Sequence, residues 1–188
     1  MYGGTSIMAI TRLTAPSITG LTIPNTSINN ASLDSVTALP SGVDVGKIGQ
    51  VISTNKTDTF STSSTSYVDV TGLSLSITPS ATSSKVFILV NLSLSPSAQA
   101  FYNIVRDSTN IAQPTSAGTH QATGGVFFNA GDGFSYINSS VLDSPNTTSA
   151  TTYKIKMKIA GPTATINRRY SDTFIACVST ITAMEVLA

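Results

Sequence analysis

The sequence predicts an all-β chain: an antiparallel two-sheet sandwich preceded by an extended N-terminal arm. Three observations carry that prediction. The polar positions are filled by Ser, Thr, Asn and Gly, and Glu185 is the single glutamate in 188 residues; helical proteins use Glu and Lys freely because both favour the helix. Thr, Val, Ile, Tyr and Phe supply the apolar runs, and these are strand residues. The runs are short, alternate with polar residues and stop at turn signals, which is a period of two and not 3.6.

The first 40 residues follow another rule. Met8, Leu13, Ile18, Ile23, Ile28 and Leu33 recur at every fifth position, and from Ser17 the units read SITGL, TIPNT, SINNA, SLDSV. On a strand an odd step throws successive side chains to opposite faces, and on a helix it leaves no stripe. The period predicts a chain that turns a corner once per unit, as in β-solenoids. Solenoids need several stacked coils to bury a core, and this stretch is too short to do so alone. The six side chains, worth about 1.5–3 kcal/mol each when buried, are therefore assigned to an assembly interface with other copies of the chain or with another protein, the alternative being a Ser/Thr-rich linker with accidental spacing. Ordering that interface takes back part of the gain. Leu39-Pro40-Ser41-Gly42 marks the boundary, giving an arm over residues 1–40 and a sandwich over 41–188.

Strands then succeed one another. Residues 48–53 form a compact apolar strand. Residues 67–70 lead through Thr71-Gly72 into Leu73, Leu75 and Ile77, which alternate with Ser74, Ser76 and Thr78 until Pro79 stops the run. In 85–94, Val86, Ile88, Val90, Leu92 and Leu94 share one face while Phe87 and Leu89 begin the other, so this strand reads as covered on both sides at its start. Residues 101–107 and 110–113 flank Ser108-Thr109 as a hairpin, and 124–130 and 134–142 flank Gly131-Asp132-Gly133 as another. In 152–159, Tyr153, Ile155, Met157 and Ile159 face one way, and Thr152 and three lysines the other. Residues 163–167 and 174–187 close the chain. Nine or ten short strands without a helix predict a jelly-roll-like sandwich, in which each sheet buries one face against the other.

Composition excludes several function classes. Charged residues are 10% of the chain and net charge is +1, against about 25% charged in ordinary domains. No Lys/Arg cluster is wide enough to engage many phosphates, so no nucleic-acid partner is expected. No apolar run reaches the roughly 18 residues of a membrane span, and Met1-Tyr2-Gly3-Gly4 lacks the start of a secretory signal; a soluble chain made in a cytoplasm is expected. Cys177 is the only cysteine, and within the apolar run 174–178 it reads as a buried structural thiol.

No catalytic, cofactor-binding or metal-binding residue is assigned, and no cofactor is expected. His120, the only histidine, sits in a Gly/Thr-rich loop without a nucleophile-elbow pattern nearby. Asp107, Asp132, Asp143 and Asp172 each stand beside turn residues and read as turn or cap residues; a glycosidase pair of Asp132 with Asp143 is the alternative. Lys154, Lys156 and Lys158 read as a solvated face or a charged edge that discourages stray pairing, with an acidic partner as the functional alternative. Arg168-Arg169-Tyr170 is open in the same way.

The segment GKIGQVISTNKTDTFSTSSTSYVDVTGLSLSITPSATSSKVFILV, residues 46–90, resembles the opening of a module in marine and cyanobacterial phage virion proteins. Its marks are a strand around Gln50-Val51, a Ser/Thr-rich loop, a paired strand through Gly72 and Lys85, and a hairpin at Arg106-Asp107-Ser108-Thr109. VLDSPNTTSATTYKIKMKIAG over 141–161, the ending STITAMEVLA and the beginning MAITRLTAPSITG from Met8 are similar to further parts of such proteins. The resemblance implies a trimeric β-sandwich displayed on a bacteriophage virion and no catalytic residues. The expected function is a homotrimeric capsid decoration, or cement, protein assembled in the host cytoplasm. Its arm would anchor it to the major capsid protein. The runner-up is a short tail or head fibre, attached to a tail protein, whose knob meets a host surface glycan through exposed aromatics such as Tyr102 or Tyr170. A free carbohydrate-binding module is the reading from another class. The absence of Trp and a 7% aromatic content speak against it.

Overall fold

The computed structural model describes residues 47–115, 122–128 and 133–187. Met8, Leu13, Ile18, Ile23, Ile28 and Leu33 lie outside the described residues, as do His120 and Asp132. The described chain is all-β, as predicted, with eleven strands: β1 (Ile48–Lys56), β2 (Phe60–Thr62), β3 (Val68–Ile77), β4 (Lys85–Pro96), β5 (Ala100–Arg106), β6 (Thr109–Ile111), β7 (Gly125–Phe127), β8 (Ser135–Asp143), β9 (Thr151–Ile159), β10 (Ala164–Ile166) and β11 (Ser179–Val186).

They form two antiparallel sheets. In the six-stranded sheet β4 is the spine: β8 runs along one side of it, and β11 followed by β1 along the other. The five-stranded sheet runs β3-β9-β5, with β6 and β7 sharing the far side of β5. The facing surfaces hold Leu73, Leu75 and Ile77 of β3, Val86 to Leu94 at alternate positions of β4, and Tyr153 to Ile159 at alternate positions of β9, all buried. Period-two alternation in the sequence becomes inward and outward faces here because successive Cβ atoms of a strand point to opposite sides.

Turn chemistry behaves as its residues dictate. Asp107 takes φ 52° at the β5–β6 hairpin, which Asp tolerates better than most residues, and its Oδ1 accepts the Thr152 N–H at 2.9 Å. Gly72 takes φ 82° where the β3–β9 register shifts between Asp69 and Ser74.

One side of β4 is shared by two strands. β11 pairs with it through Asn91, and β10 takes over from Leu94. At the splice the Ser93 N–H donates to Ser179 Oγ at 2.9 Å, and the Asn167 N–H donates to the Ser93 carbonyl at 3.0 Å. Ser179 Oγ in turn donates to Asn167 Oδ1 at 2.6 Å, while Asn167 Nδ2 reaches the carbonyls of Lys56 and Asp58 at 2.7 and 2.9 Å. Buried Asn167, at φ 64°, thus satisfies backbone groups that a continuous neighbouring strand would otherwise have paired.

Two expectations are corrected. The predicted hairpin around Gly131-Asp132-Gly133 does not form: β7 pairs with β5 in one sheet and β8 with β4 in the other. The last strand begins at Ser179, not at residue 174; residues 167–178 form a hairpin closed by a single bridge between Arg168 and Ala176. Phe174 is 88% exposed there, so the run 174–178 is apolar without being core.

Candidate assembly interface

Strand register places outward-facing residues of the six-stranded sheet in rows. Val51, Met184, Phe87 and Leu142 lie side by side across β1, β11, β4 and β8. The next row along the strands reads Ser53, Thr182, Leu89, Ser140, and the one after it Asn55, Thr180, Asn91, Asn138. Ser53 and Thr182 share a hydrogen bond at 2.8 Å, and Asn91 Nδ2 donates to Asn138 Oδ1 at 2.7 Å. Val51 is 56% and Leu142 50% exposed. Three rows contain no charge; Lys85 enters only in the flanking row with Val186 and Ile48. Two shallow depressions mark this face. One of about 330 Å³ is bordered by Leu89, Asn91, Asn138 and Thr180, and one of about 320 Å³ by Lys85, Leu142 and Val186.

The outer face of the other sheet is of opposite character. Asp69 receives Lys154 at 2.9 Å and Lys156 at 3.5 Å. The Lys154 hydrogen bond outweighs the effect of partial burial and holds the Asp69 carboxyl below the usual range. Lys158 Nζ lies 4.9 Å from the Tyr67 ring centroid and 5.0 Å from that of Phe101, a cation–π arrangement. The solvated-face reading of the three lysines therefore fits, but the edge reading does not. β9 lies between β3 and β5, and all three lysines have partners within the chain.

The buried ionisable groups are engaged in holding the sandwich. Arg106 Nη1 donates to both oxygens of Asp143 at 2.8 Å and to the Ser144 carbonyl at 3.2 Å. The fully buried Tyr153 donates its hydroxyl to Asp143 Oδ2 at 2.7 Å. Burial first, and the Asp143 carboxylate second, push the Tyr153 hydroxyl far above an ordinary phenol. This clamp ties β8 of one sheet to β5 and β9 of the other. Asp143 is thus an ion-pair residue and not a turn cap. Glu185 accepts Ser80 N–H and Oγ–H, each at 2.6 Å, and Gln50 Nε2 at 2.8 Å.

Further residues singled out in the sequence are placed differently from expectation. Tyr102 is buried in the core, so it offers no platform to a glycan. Tyr170 is half-buried, with its N–H donated to Ser95 Oγ. Cys177 is half-buried rather than buried, and the exposed Tyr136 donates its hydroxyl to Cys177 Sγ at 3.4 Å. Asp172 does cap its turn, accepting the Phe174 N–H and pairing with Arg169 at 2.9 Å. Among the described residues, no group of three or more His, Cys, Asp or Glu could hold a metal ion, and no helix is long and apolar enough to cross a membrane. Val51, Leu142 and Met184 carry no signal of this row in the sequence. Only Phe87 and Leu89, opposite the inward row of β4, point to a second apolar face.

No protein-family model matches the chain, and no curated protein matches it. Among solved structures it is similar to the VP2 subviral particle of infectious bursal disease virus, with a TM-score of 0.33 and 15% identity over 74% of this chain and 38% of that one. A structure of the Gx strain of the same virus gives a TM-score of 0.32 and 13% identity over 74% of this chain and 43% of that one. The chain spans less than half the length of either.

Proposed function

We propose that the chain is a non-catalytic structural component of a bacteriophage virion, a capsid decoration protein that assembles as a homotrimer and is anchored through its N-terminal arm. One observation carries the structural reading: the row of Val51, Met184, Phe87 and Leu142 on a sheet face that is nearly free of charge. A lone soluble domain gains nothing from contiguous apolar side chains in water, whereas an assembled one covers them. The sequence resemblance of residues 46–90 and 141–161 to phage virion modules supplies the particle. The five-residue repeat through Met8, Leu13, Ile18, Ile23, Ile28 and Leu33 supplies the anchor, with the major capsid protein as partner.

A short fibre is the second reading, favoured by the exposed Phe128 and Phe174. The hairpin that carries Phe174 is tied to Ser95, whose Oγ accepts the Tyr170 N–H. Exposed aromatics of this kind suit a host surface glycan.

Immunogold labelling of purified particles with antibody against residues 47–187 tests both. Label over the shell supports decoration, label at a tail tip supports the fibre, and unlabelled particles overturn the virion reading. Deleting residues 1–39 is expected to leave a soluble sandwich that no longer joins particles.

A further inference from the structure

Sheet edges in this protein are guarded unequally. β1 has a register shift between Ile48 and Val51 and ends in Lys56, whose buried ammonium meets Asp58 at 2.8 Å. β3 has a register shift between Asp69 and Ser74, carries Gly72 inside it and displays Asp69. Bulges and charges of this kind discourage pairing with a foreign strand. β8 has neither. Its nine residues, SYINSSVLD, pair one for one with β4 without a shift and contain no Lys, Arg, Pro or Gly. Its single charge, Asp143, is neutralised by Arg106 within the chain. No described strand pairs with its other side. Among the described residues, that leaves about 30 Å of backbone edge without a strand partner, at roughly 3.3 Å per residue, a template for pairing with another chain.

We propose that this edge pairs antiparallel with β8 of a second copy of the chain, across a two-fold axis at Ser139. The register follows from the sequence. Full overlap of two nine-residue strands sets Ser139 against the partner's Ser139, Tyr136 against the partner's Leu142, Ile137 against the partner's Val141, and Asn138 against the partner's Ser140. Tyr136 and Leu142, 60% and 50% exposed, then cover each other on the outer face. Ile137 and Val141, half-buried at the margin of the core, cover each other on the inner one. A slip of two residues in either direction leaves Tyr136 or Leu142 without an apolar neighbour, and a slip of one mismatches the faces. Aromatic–aliphatic pairs directly across strands are favourable, so the overlapping register wins. The junction is isologous, as a two-fold contact must be, and it ends the apolar row of each copy, at Leu142, on the Tyr136 of the other. It stands apart from the virion reading, since it concerns only two copies of this chain.

Sedimentation of the full chain and of S139K, with a C177S cross-linking pair, tests the proposal. S139K is expected to halve the mass of the largest species at a fixed concentration, whether that step is dimer to monomer or a trimer pair to a trimer, while the variant remains folded. In a C177S background, S139C is expected to form disulfide-linked dimers on mild oxidation, because facing residues on paired strands lie within disulfide reach. S140C alone is expected to remain unlinked, and to link only when mixed with N138C. An unchanged mass for folded S139K, or equal linking by S139C and S140C, overturns the proposal.

Discussion

Ser80 donates both its backbone N–H and its hydroxyl to Oε1 of Glu185, each at 2.6 Å, while Gln50 Nε2 binds Oε2 at 2.8 Å. Three strand systems meet at that carboxylate: β11 carries it, β1 supplies Gln50, and the β3–β4 turn supplies Ser80. Gln50 also reaches the Thr78 carbonyl in the same turn at 2.6 Å. A charged acceptor is better suited to so many donors than a neutral one.

Glu185 sets an acid limb. Burial acts to raise its pKa, but the hydrogen bonds from Gln50 and Ser80 prevail and hold it at about 2, against an ordinary 4.5. A carboxyl depressed in the folded state stabilises the fold fully above its unfolded value and loses that contribution as pH falls toward the folded one. The window is therefore pH 4.5 down to about 2. E185Q is expected to lose about 2 kcal/mol at pH 7 and to show a shallower decline in that window. Urea unfolding at pH 7, 4 and 2.5 measures both. Asp69, also depressed by its lysines, leaves part of the acid sensitivity in place.

Asn167 is the second test. N167A removes the donors to the Lys56 and Asp58 carbonyls and the acceptor for Ser179, leaving buried backbone groups unpaired. The expected loss is about 3 kcal/mol. N167G loses the same bonds without the Cβ at φ 64°, and should be more stable than N167A by about 1 kcal/mol. Equal stability of the two variants would show that the backbone conformation is not under strain.

The inter-sheet clamp predicts non-additivity. Y153F loses one hydrogen bond to Asp143 and is expected to cost about 1 kcal/mol. D143A leaves the Tyr153 hydroxyl without its acceptor and the Arg106 guanidinium with only the Ser144 carbonyl, at a cost of about 3 kcal/mol. A double-mutant cycle between R106M and D143A should return a coupling of about 1–2 kcal/mol. Coupling near zero would mean that solvent replaces the pair freely.

Two glycines separate backbone freedom from space. At Gly72 an added Cβ would stand 3.4 Å from Lys56 Nζ, so room exists and φ 82° is the obstacle; G72A is expected to cost about 1–2 kcal/mol. At Gly125 the added Cβ would overlap the Tyr102 ring. G125A must therefore displace a core side chain, and about 2–3 kcal/mol is expected. Thermal melts of the two variants compare them directly.

Strands whose period coincides with their burial are legible in the sequence. Leu73, Leu75 and Ile77 alternate along the chain and alternate in space, as do Tyr153, Ile155, Met157 and Ile159. The Asp107 turn is legible for the same reason, because its chemistry is local. Pairing across long separations is not. Nothing near Gly133 reveals that β7 and β8 join different sheets, since that choice is made by β5 and β4. The role of Asp143 is hidden likewise: Arg106 lies 37 residues away and Tyr153 ten. At residues 174–178 hydrophobicity misleads, because Phe174 faces water on a hairpin held by Arg169 and Asp172. The outward apolar row is half-legible: Phe87 and Leu89 betray it, whereas Val51 and Leu142 acquire their neighbours only through register.

The splice at Ser93 has a consequence for how such a protein can diversify. Because β10 and β11 share one side of β4, the hairpin between them starts and ends part-way along that strand instead of at its end. Its length enters neither pairing, so residues 169–176 can be exchanged or extended as a cassette while Asn167 and Ser179 keep the seam closed. A single scaffold can thereby present many different projections from within its larger sheet.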